Sequence, residues 1–154
     1  MQTESTIRAL VANTCLALDA DDYTRYLELC DDSFTYRITT FSPEIRKEML
    51  WLEKDKRGLK DLFDLLPKQN MDRTPLTRHF SIFTIEHTAR EEILKVMSAL
   101  QVFRTEHQGG ATTLVAVGKY IDDVRLDEHG RAFLVDREVR LDTRMLGKGY
   151  HVPF

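Results

Sequence analysis

Two long extended runs that meet at one turn constrain this chain more than any other feature. The stretches "TTLVAVGKYIDDVRLDEHG" and "RAFLVDREVRLDTR" read as consecutive strands, and "DEHGR" between them reads as a hairpin turn in which Gly130 supplies the positive φ. In the second strand, Asp136, Glu138, Arg140, Asp142 and Arg144 alternate onto one face, while Arg137, Val139, Leu141 and Thr143 fall on the other. One face is therefore a ladder of both charge signs, and an arginine also interrupts the apolar face. The ladder has two readings. It is a solvated sheet face, with Glu138 and Arg140 cross-strand to Lys119, Asp123 and Arg125, or it is a surface for another protein, where the planar fork of arginine pairs two ways with carboxylates.

The rest of the chain divides into a helical front, 1–77, with one strand; a strand-rich back, 78–144; and a tail, 145–154. Ile7, Leu10, Val11, Thr14 and Leu18 have the spacing of an amphipathic helix, with Thr3 as its cap. Tyr23, Tyr26, Leu27 and Cys30 repeat the pattern over a shorter helix capped by Asp21 or Asp22 and closed by "DDS". "FTYRITT" reads as a strand. "SPE" reads as a helix start, with Ser42 as cap, Pro43 in the first turn and Glu44 at the positive end of the dipole. Ile45, Met49 and Leu52 would be its buried side, and after Gly58 the stripe Leu59, Leu62, Phe63 and Leu66 runs to Pro67. "RHFSIFTIEHT" reads as a strand buried to some degree on both faces. "EEILKVMSALQVFRTEHQGG" fits a helix or a strand by periodicity; the strand is preferred, because Gln108-Gly109-Gly110 then turns it into the next strand as a meander. Helices followed by long antiparallel strands predict a single α+β domain over 1–154, with N-terminal helices packed on one face of a curved, mainly antiparallel sheet that forms a cone with a pocket.

Composition closes off several classes. With 22 Lys and Arg against 25 Asp and Glu, interspersed, the chain is not built to bind nucleic acid. No apolar run approaches the roughly 18 residues of a membrane span. The start "MQTESTIRALVANTC" lacks the basic head and apolar centre of a signal peptide. Cys15 and Cys30, both on apolar positions of predicted helices, read as free buried thiols in a reducing cytoplasm.

Candidate chemistry is sparse. His79, His87, His107, His129 and His151 are dispersed, with no HxH, HxxxH or CxxC spacing, so no metal site is expected in this chain. No G-x-S-x-G elbow or phosphate-cradling glycine loop occurs. The remaining enzymatic option is acid–base chemistry in the cone pocket, as an isomerase or dehydratase, for which His79 and Tyr36 are the candidate catalytic residues and Tyr23 and Arg137 could project nearby.

The order of motifs resembles one family along nearly the whole chain. Asp22-Tyr23, Tyr26-Leu27, Asp31-Asp32 and Tyr36 in "LDADDYTRYLELCDDSFTYRI" resemble the helix-helix-strand opening of the small (beta) subunits of Rieske-type ring-hydroxylating oxygenases. Arg78-His79 resembles that family's strand start, and Ser98, Val102, Phe103 and Arg104 its central strand. Gly118, Tyr120, Asp122, Arg125, Arg137, Val139, Leu141 and Asp142 resemble its closing hairpin. The segment from Glu44 to Leu76 departs from the pattern, and "GKGYHVPF" extends the tail, which suggests a divergent branch such as that acting on small sulfonates like methanesulfonate. The resemblance implies a fold like nuclear transport factor 2 and a non-catalytic, cytoplasmic structural subunit without a cofactor of its own. It implies trimers beneath a trimer of large (alpha) subunits, an α3β3 assembly. The large subunit would carry the Rieske [2Fe–2S] cluster, the mononuclear iron and the site that hydroxylates an aromatic compound or organosulfonate. The ladder then becomes a subunit-facing surface, with Arg137, Arg140, Arg144, Tyr150, His151 and Phe154 as expected contacts.

Overall fold

The computed structural model describes residues 2–44, 46–69, 74–143 and 153–154, with only the backbone described for 67–69. Helix α1 (Gln2–Asp19) buries Ile7, Leu10, Val11, Thr14 and Leu18, the stripe expected from spacing. Thr3 lies inside this helix rather than capping it. Helix α2 (Tyr23–Glu28) is capped by Asp22, whose carboxylate accepts a hydrogen bond from the Arg25 backbone N–H at 3.1 Å. It ends earlier than expected: Cys30 and the following "DDS" already belong to strand β1 (Cys30–Ser42).

The largest correction lies after Ser42. The chain returns as strand β2 (Lys47–Asp55), pairing antiparallel with β1. "SPE" is therefore a hairpin turn and not a helix start. Its Ser42 hydroxyl donates to the Glu44 carboxylate at 3.1 Å. The expected buried side fares accordingly: Met49 is 39% exposed, Leu52 is half-buried, and Ile45 lies outside the described residues. A strand wins here because Glu-Met-Leu-Trp-Leu-Glu can pair along β1, a tertiary gain that local helix signals cannot report. Helix α3 (Lys56–Gln69) starts directly after it and buries Leu59, Phe63 and Leu66.

Strands β3 (Leu76–His87), β4 (Ile93–Thr105), β5 (Thr112–Leu126) and β6 (Ala132–Leu141) complete one sheet in the order β2-β1-β6-β5-β4-β3. The segment that periodicity left ambiguous is strand β4, and it turns into β5 through Gly109 and Gly110, both at positive φ. Among the described residues, β1 and β6 pair in parallel and the other four pairs are antiparallel. Register shifts at Ile82/Thr84, Val102/Phe103 and Asp123/Val124 mark bulges, which bend strands and increase twist. Helix α1 packs against β3 and β6, and α3 against β1 and β2, so the helices line the sheet's inner side. Strand β3 is an edge, and Phe83 on it is 57% exposed, so burial on both faces is not realised there.

Candidate functional site

Alternation sorts the functional candidates onto two faces. Inward go Tyr36 and Ile38 of β1, Arg78 of β3, Ser98 and Leu100 of β4, Gly118, Tyr120 and Asp122 of β5, and Arg137, Val139 and Leu141 of β6. Outward go Arg37, Thr39, His79, Lys119, Asp123, Asp136, Glu138 and Arg140.

On the inner face, Arg137 and Asp122 form a two-way pair: Nε donates to Oδ1 at 2.8 Å and Nη2 to Oδ2 at 3.0 Å. The third nitrogen, Nη1, donates to the Thr14 hydroxyl at 3.1 Å, and the guanidinium carbon sits 3.7 Å from the Tyr120 ring centroid. Neither side chain of the pair has exposed surface. Burial pushes the Asp122 carboxyl up against the pull of the adjoining guanidinium. Both carboxylate oxygens accept from the guanidinium and the pair has no exposed surface, so Asp122 is engaged within the chain. Burial likewise raises the Tyr26, Tyr36 and Tyr120 hydroxyls and keeps them neutral; Tyr36 and Tyr120 hydrogen-bond to Phe154, whereas the Tyr26 hydroxyl has no hydrogen-bond partner among the described residues.

A second cluster lies at Arg78. Its Nη1 donates to Asp19 at 2.8 Å, its Nη2 to the Pro153 carbonyl at 2.8 Å and its Nε to the Phe154 carbonyl at 3.4 Å. The Phe154 N–H donates to the Tyr36 hydroxyl at 2.7 Å, and the Tyr120 hydroxyl donates to the Phe154 carbonyl. Arg78 and Phe154 are 6% and 1% exposed.

The two candidate catalytic residues lie on opposite faces of the sheet. His79 is exposed on the outer face, its ring 5.1 Å from that of Phe103, whereas Tyr36 has no exposed surface and is held by Phe154. The strand's alternation separates them: the residue that reaches the inner face is Arg78, one position earlier. Tyr23 stacks on Phe63 with centroids 4.4 Å apart, and burial with the adjacent Asp21 pushes its hydroxyl up to about 12. Two expected partner contacts lie in the interior. Arg137 and Phe154 are buried inside this chain and present no surface to another. Arg144, Tyr150 and His151 lie outside the described residues.

The outer ladder is internally paired. Arg37 grips Asp136 at 2.8 and 3.1 Å, the Thr39 hydroxyl donates to Glu138 at 2.7 Å, and Arg140 donates to Glu138 at 3.0 Å while approaching Glu48 at 3.7 Å. Lys119 reaches Asp142 and Lys95 reaches Asp123. Arg125 pairs instead with Asp31 at 2.8 Å. Burial pushes the Glu138 carboxyl up, but the hydrogen bonds from Thr39 and Arg140 outweigh it and hold it below the usual range. Beside the ladder, Phe41 and Leu50 are 55% and 58% exposed.

Metal ligation has little to work with. Among the described residues no three His, Cys, Asp or Glu side chains cluster in a way that could hold an ion. The two thiols are free but spent elsewhere: Cys15 meets the Tyr120 hydroxyl at 3.9 Å, and Cys30 donates to the Tyr26 carbonyl at 3.3 Å. Burial pushes the Cys30 thiol up to about 12, away from the thiolate an iron–sulfur cluster requires. The donor set of the described residues therefore does not fit a Rieske cluster or a mononuclear iron. No described helix is long and apolar enough to cross a membrane.

Comparison with known proteins places this architecture. The chain is 38% identical to the methanesulfonate monooxygenase hydroxylase subunit beta of Methylosulfonomonas methylovora, covering 96% of this chain and 84% of that one. It is 35% identical to the 2-aminobenzenesulfonate 2,3-dioxygenase subunit beta of an Alcaligenes species, covering 99% of each. The solved beta subunit of benzoate 1,2-dioxygenase from Burkholderia mallei ATCC 23344 shares the fold, with a TM-score of 0.70 at 14% identity over 95% of each chain. Residues 14–148 match the family described as ring hydroxylating beta subunit. This chain belongs to the ring-hydroxylating beta subunit family.

Proposed function

We propose that this chain is the structural, non-catalytic beta subunit of a hetero-oligomeric oxygenase acting on an organosulfonate. In this reading the large alpha subunit carries the Rieske [2Fe–2S] cluster, the mononuclear iron and the substrate pocket, and three copies of each chain form an α3β3 assembly in the cytoplasm. The observation that carries the reading is identity above 30% over nearly the full length to beta subunits of two oxygenases whose names both specify a sulfonate substrate. The inner-face geometry agrees with it. The groups an acid–base enzyme would use are engaged within the chain, with Asp122 on Arg137 and Tyr36 on Phe154.

The surface proposed for assembly is the outer face of β1, β2 and β6. There the exposed Phe41 and Leu50 supply apolar area beside a ladder whose charges already carry intramolecular partners. A partner would not need to supply matching charge to cover it, which lowers the desolvation cost of burying arginine.

The test is light scattering with an iron assay, on the chain alone and after co-expression with the large subunit. An iron-free oligomer that joins an iron-bearing partner supports the reading; a chain that ignores the partner sinks it. His79→Ala separates it from a pocket enzyme. Turnover of the assembled complex should survive that change, and its loss with assembly intact would mark His79 as catalytic.

A further inference from the structure

Phe154 has only 1% of its surface exposed, and side chains from three strands hold its backbone. Tyr36 of β1 accepts its N–H, Tyr120 of β5 and Arg78 Nε of β3 donate to its carbonyl, and Arg78 Nη2 donates to the preceding carbonyl of Pro153. We propose that the inner face of the sheet is a peptide-binding site and that Pro153–Phe154 is its intramolecular ligand. The ligand class follows from the donors and acceptors: two successive carbonyls, one amide N–H and an aromatic ring, which is an N-acylated phenylalanine. The proposal goes beyond the subunit reading and does not rest on it.

Three features make this a built site. Asp19 fixes the Arg78 guanidinium through Nη1 and also accepts the Arg78 backbone N–H at 3.1 Å, so Nε and Nη2 are aimed before any ligand arrives. All the contacting side chains are more than nine-tenths buried, where a hydrogen bond is not diluted by water. Ser98, in register with Tyr120 on the same inner face, has a buried hydroxyl without a hydrogen-bond partner among the described residues, so the interior retains unspent polar capacity. A tethered ligand acts at an effective concentration on the order of millimolar. Free peptide should therefore enter only when Pro153–Phe154 is absent.

Two measurements test this. In the intact chain, exchange of the Phe154 amide hydrogen is followed by NMR; strong protection is expected, and exchange at the rate of a free peptide overturns the proposal. Calorimetry then measures N-acetyl-L-prolyl-L-phenylalaninamide against the chain ended at Val152. Saturable one-to-one binding is expected there, with none to the intact chain and none for the corresponding alanine peptide. Tyr120→Phe in the shortened chain should weaken binding about tenfold. A shortened chain that folds only when the peptide is added also supports the proposal. A folded shortened chain that ignores the peptide overturns it, as does one that the peptide fails to fold.

Discussion

Asp122 and Arg137 face each other across β5 and β6 with two parallel hydrogen bonds, at 2.8 and 3.0 Å, and no exposed surface on either side chain. The pair joins the central hairpin to α1 through Thr14 and to the aromatic interior through Tyr120. Every directed contact of the guanidinium is thus spent on holding elements together. A buried pair of this kind adds little over apolar packing, yet removing one partner strands the other charge in a low-dielectric interior.

Asp122→Ala should therefore destabilise the fold by about 3–5 kcal/mol. The double change Asp122→Leu with Arg137→Met should recover much of that loss, because it removes both desolvated charges and leaves apolar volume. Urea midpoints of the three chains decide the matter. A single variant within about 1 kcal/mol of the parent would mean that the guanidinium finds another partner or water.

Gly118 predicts a second packing limit. A Cβ built there lies 2.2 Å from the Arg140 carbonyl oxygen and 2.9 Å from the Leu141 Cα, both backbone atoms that cannot swing aside. Gly118→Ala should cost about 1–3 kcal/mol, since β5 and β6 must separate to admit it. Thermal unfolding measures this, and an unchanged midpoint would show that the two strands part there freely.

Much of this fold was legible in the sequence, and the failures have physical causes. The α1 stripe and the long hairpin were readable because their periods match their burial. Strand β2 was not, because Ser-Pro-Glu satisfies helix-start chemistry while the pairing partner that overrides it lies across the turn. The Asp122–Arg137 pair was hidden by a bulge. Counted outward from the turn at Gly130, Asp122 would oppose Asp136; the shift between Asp123 and Val124 moves the register by one and sets it against Arg137. An acid and a base on the apolar faces of adjacent strands were the available signal. In the Arg78-His79 motif, alternation turns Arg78 inward and sends His79 outward. On the ladder, Lys119 lies opposite Arg140 and reaches Asp142, and Asp123 lies opposite Asp136, whereas Arg125 turns to Asp31 and Arg37, Thr39 and Glu48 add contacts from β1 and β2.

Acid should weaken the fold through Asp31 as well as Glu138. Burial pushes the Asp31 carboxyl up, but the Ser33 hydroxyl and N–H together with Arg125 hold it below its usual range. Both carboxyls therefore bind a proton less readily in the folded chain than in the unfolded one. Their stabilisation is fully present above the unfolded values, about 3.9 for Asp and 4.3 for Glu, and disappears as pH falls through the lower folded values. The contribution of these two groups to the urea midpoint should be level from neutral pH to about 5 and drop below that. Ser33→Ala and Thr39→Val should each make the drop shallower. Equal acid slopes in parent and variants would remove these two groups from the account.

Arg140 separates the solvated reading of the ladder from the assembly reading. Its side chain is 50% exposed and bonds to Glu138 on its own strand, so its loss should change the stability of the isolated chain by about 0–1 kcal/mol. Arg140→Glu places a third carboxylate beside Glu138 and Glu48 on the face that also carries Phe41 and Leu50. Covering that face in an assembly would then bury uncompensated like charge, a cost of several kcal/mol that water no longer screens. The expected result is a folded chain with a near-parental urea midpoint that no longer forms the parental oligomer by light scattering, at the same concentration and salt. An intact oligomer would place the interface on another surface and leave the ladder as a solvated sheet face.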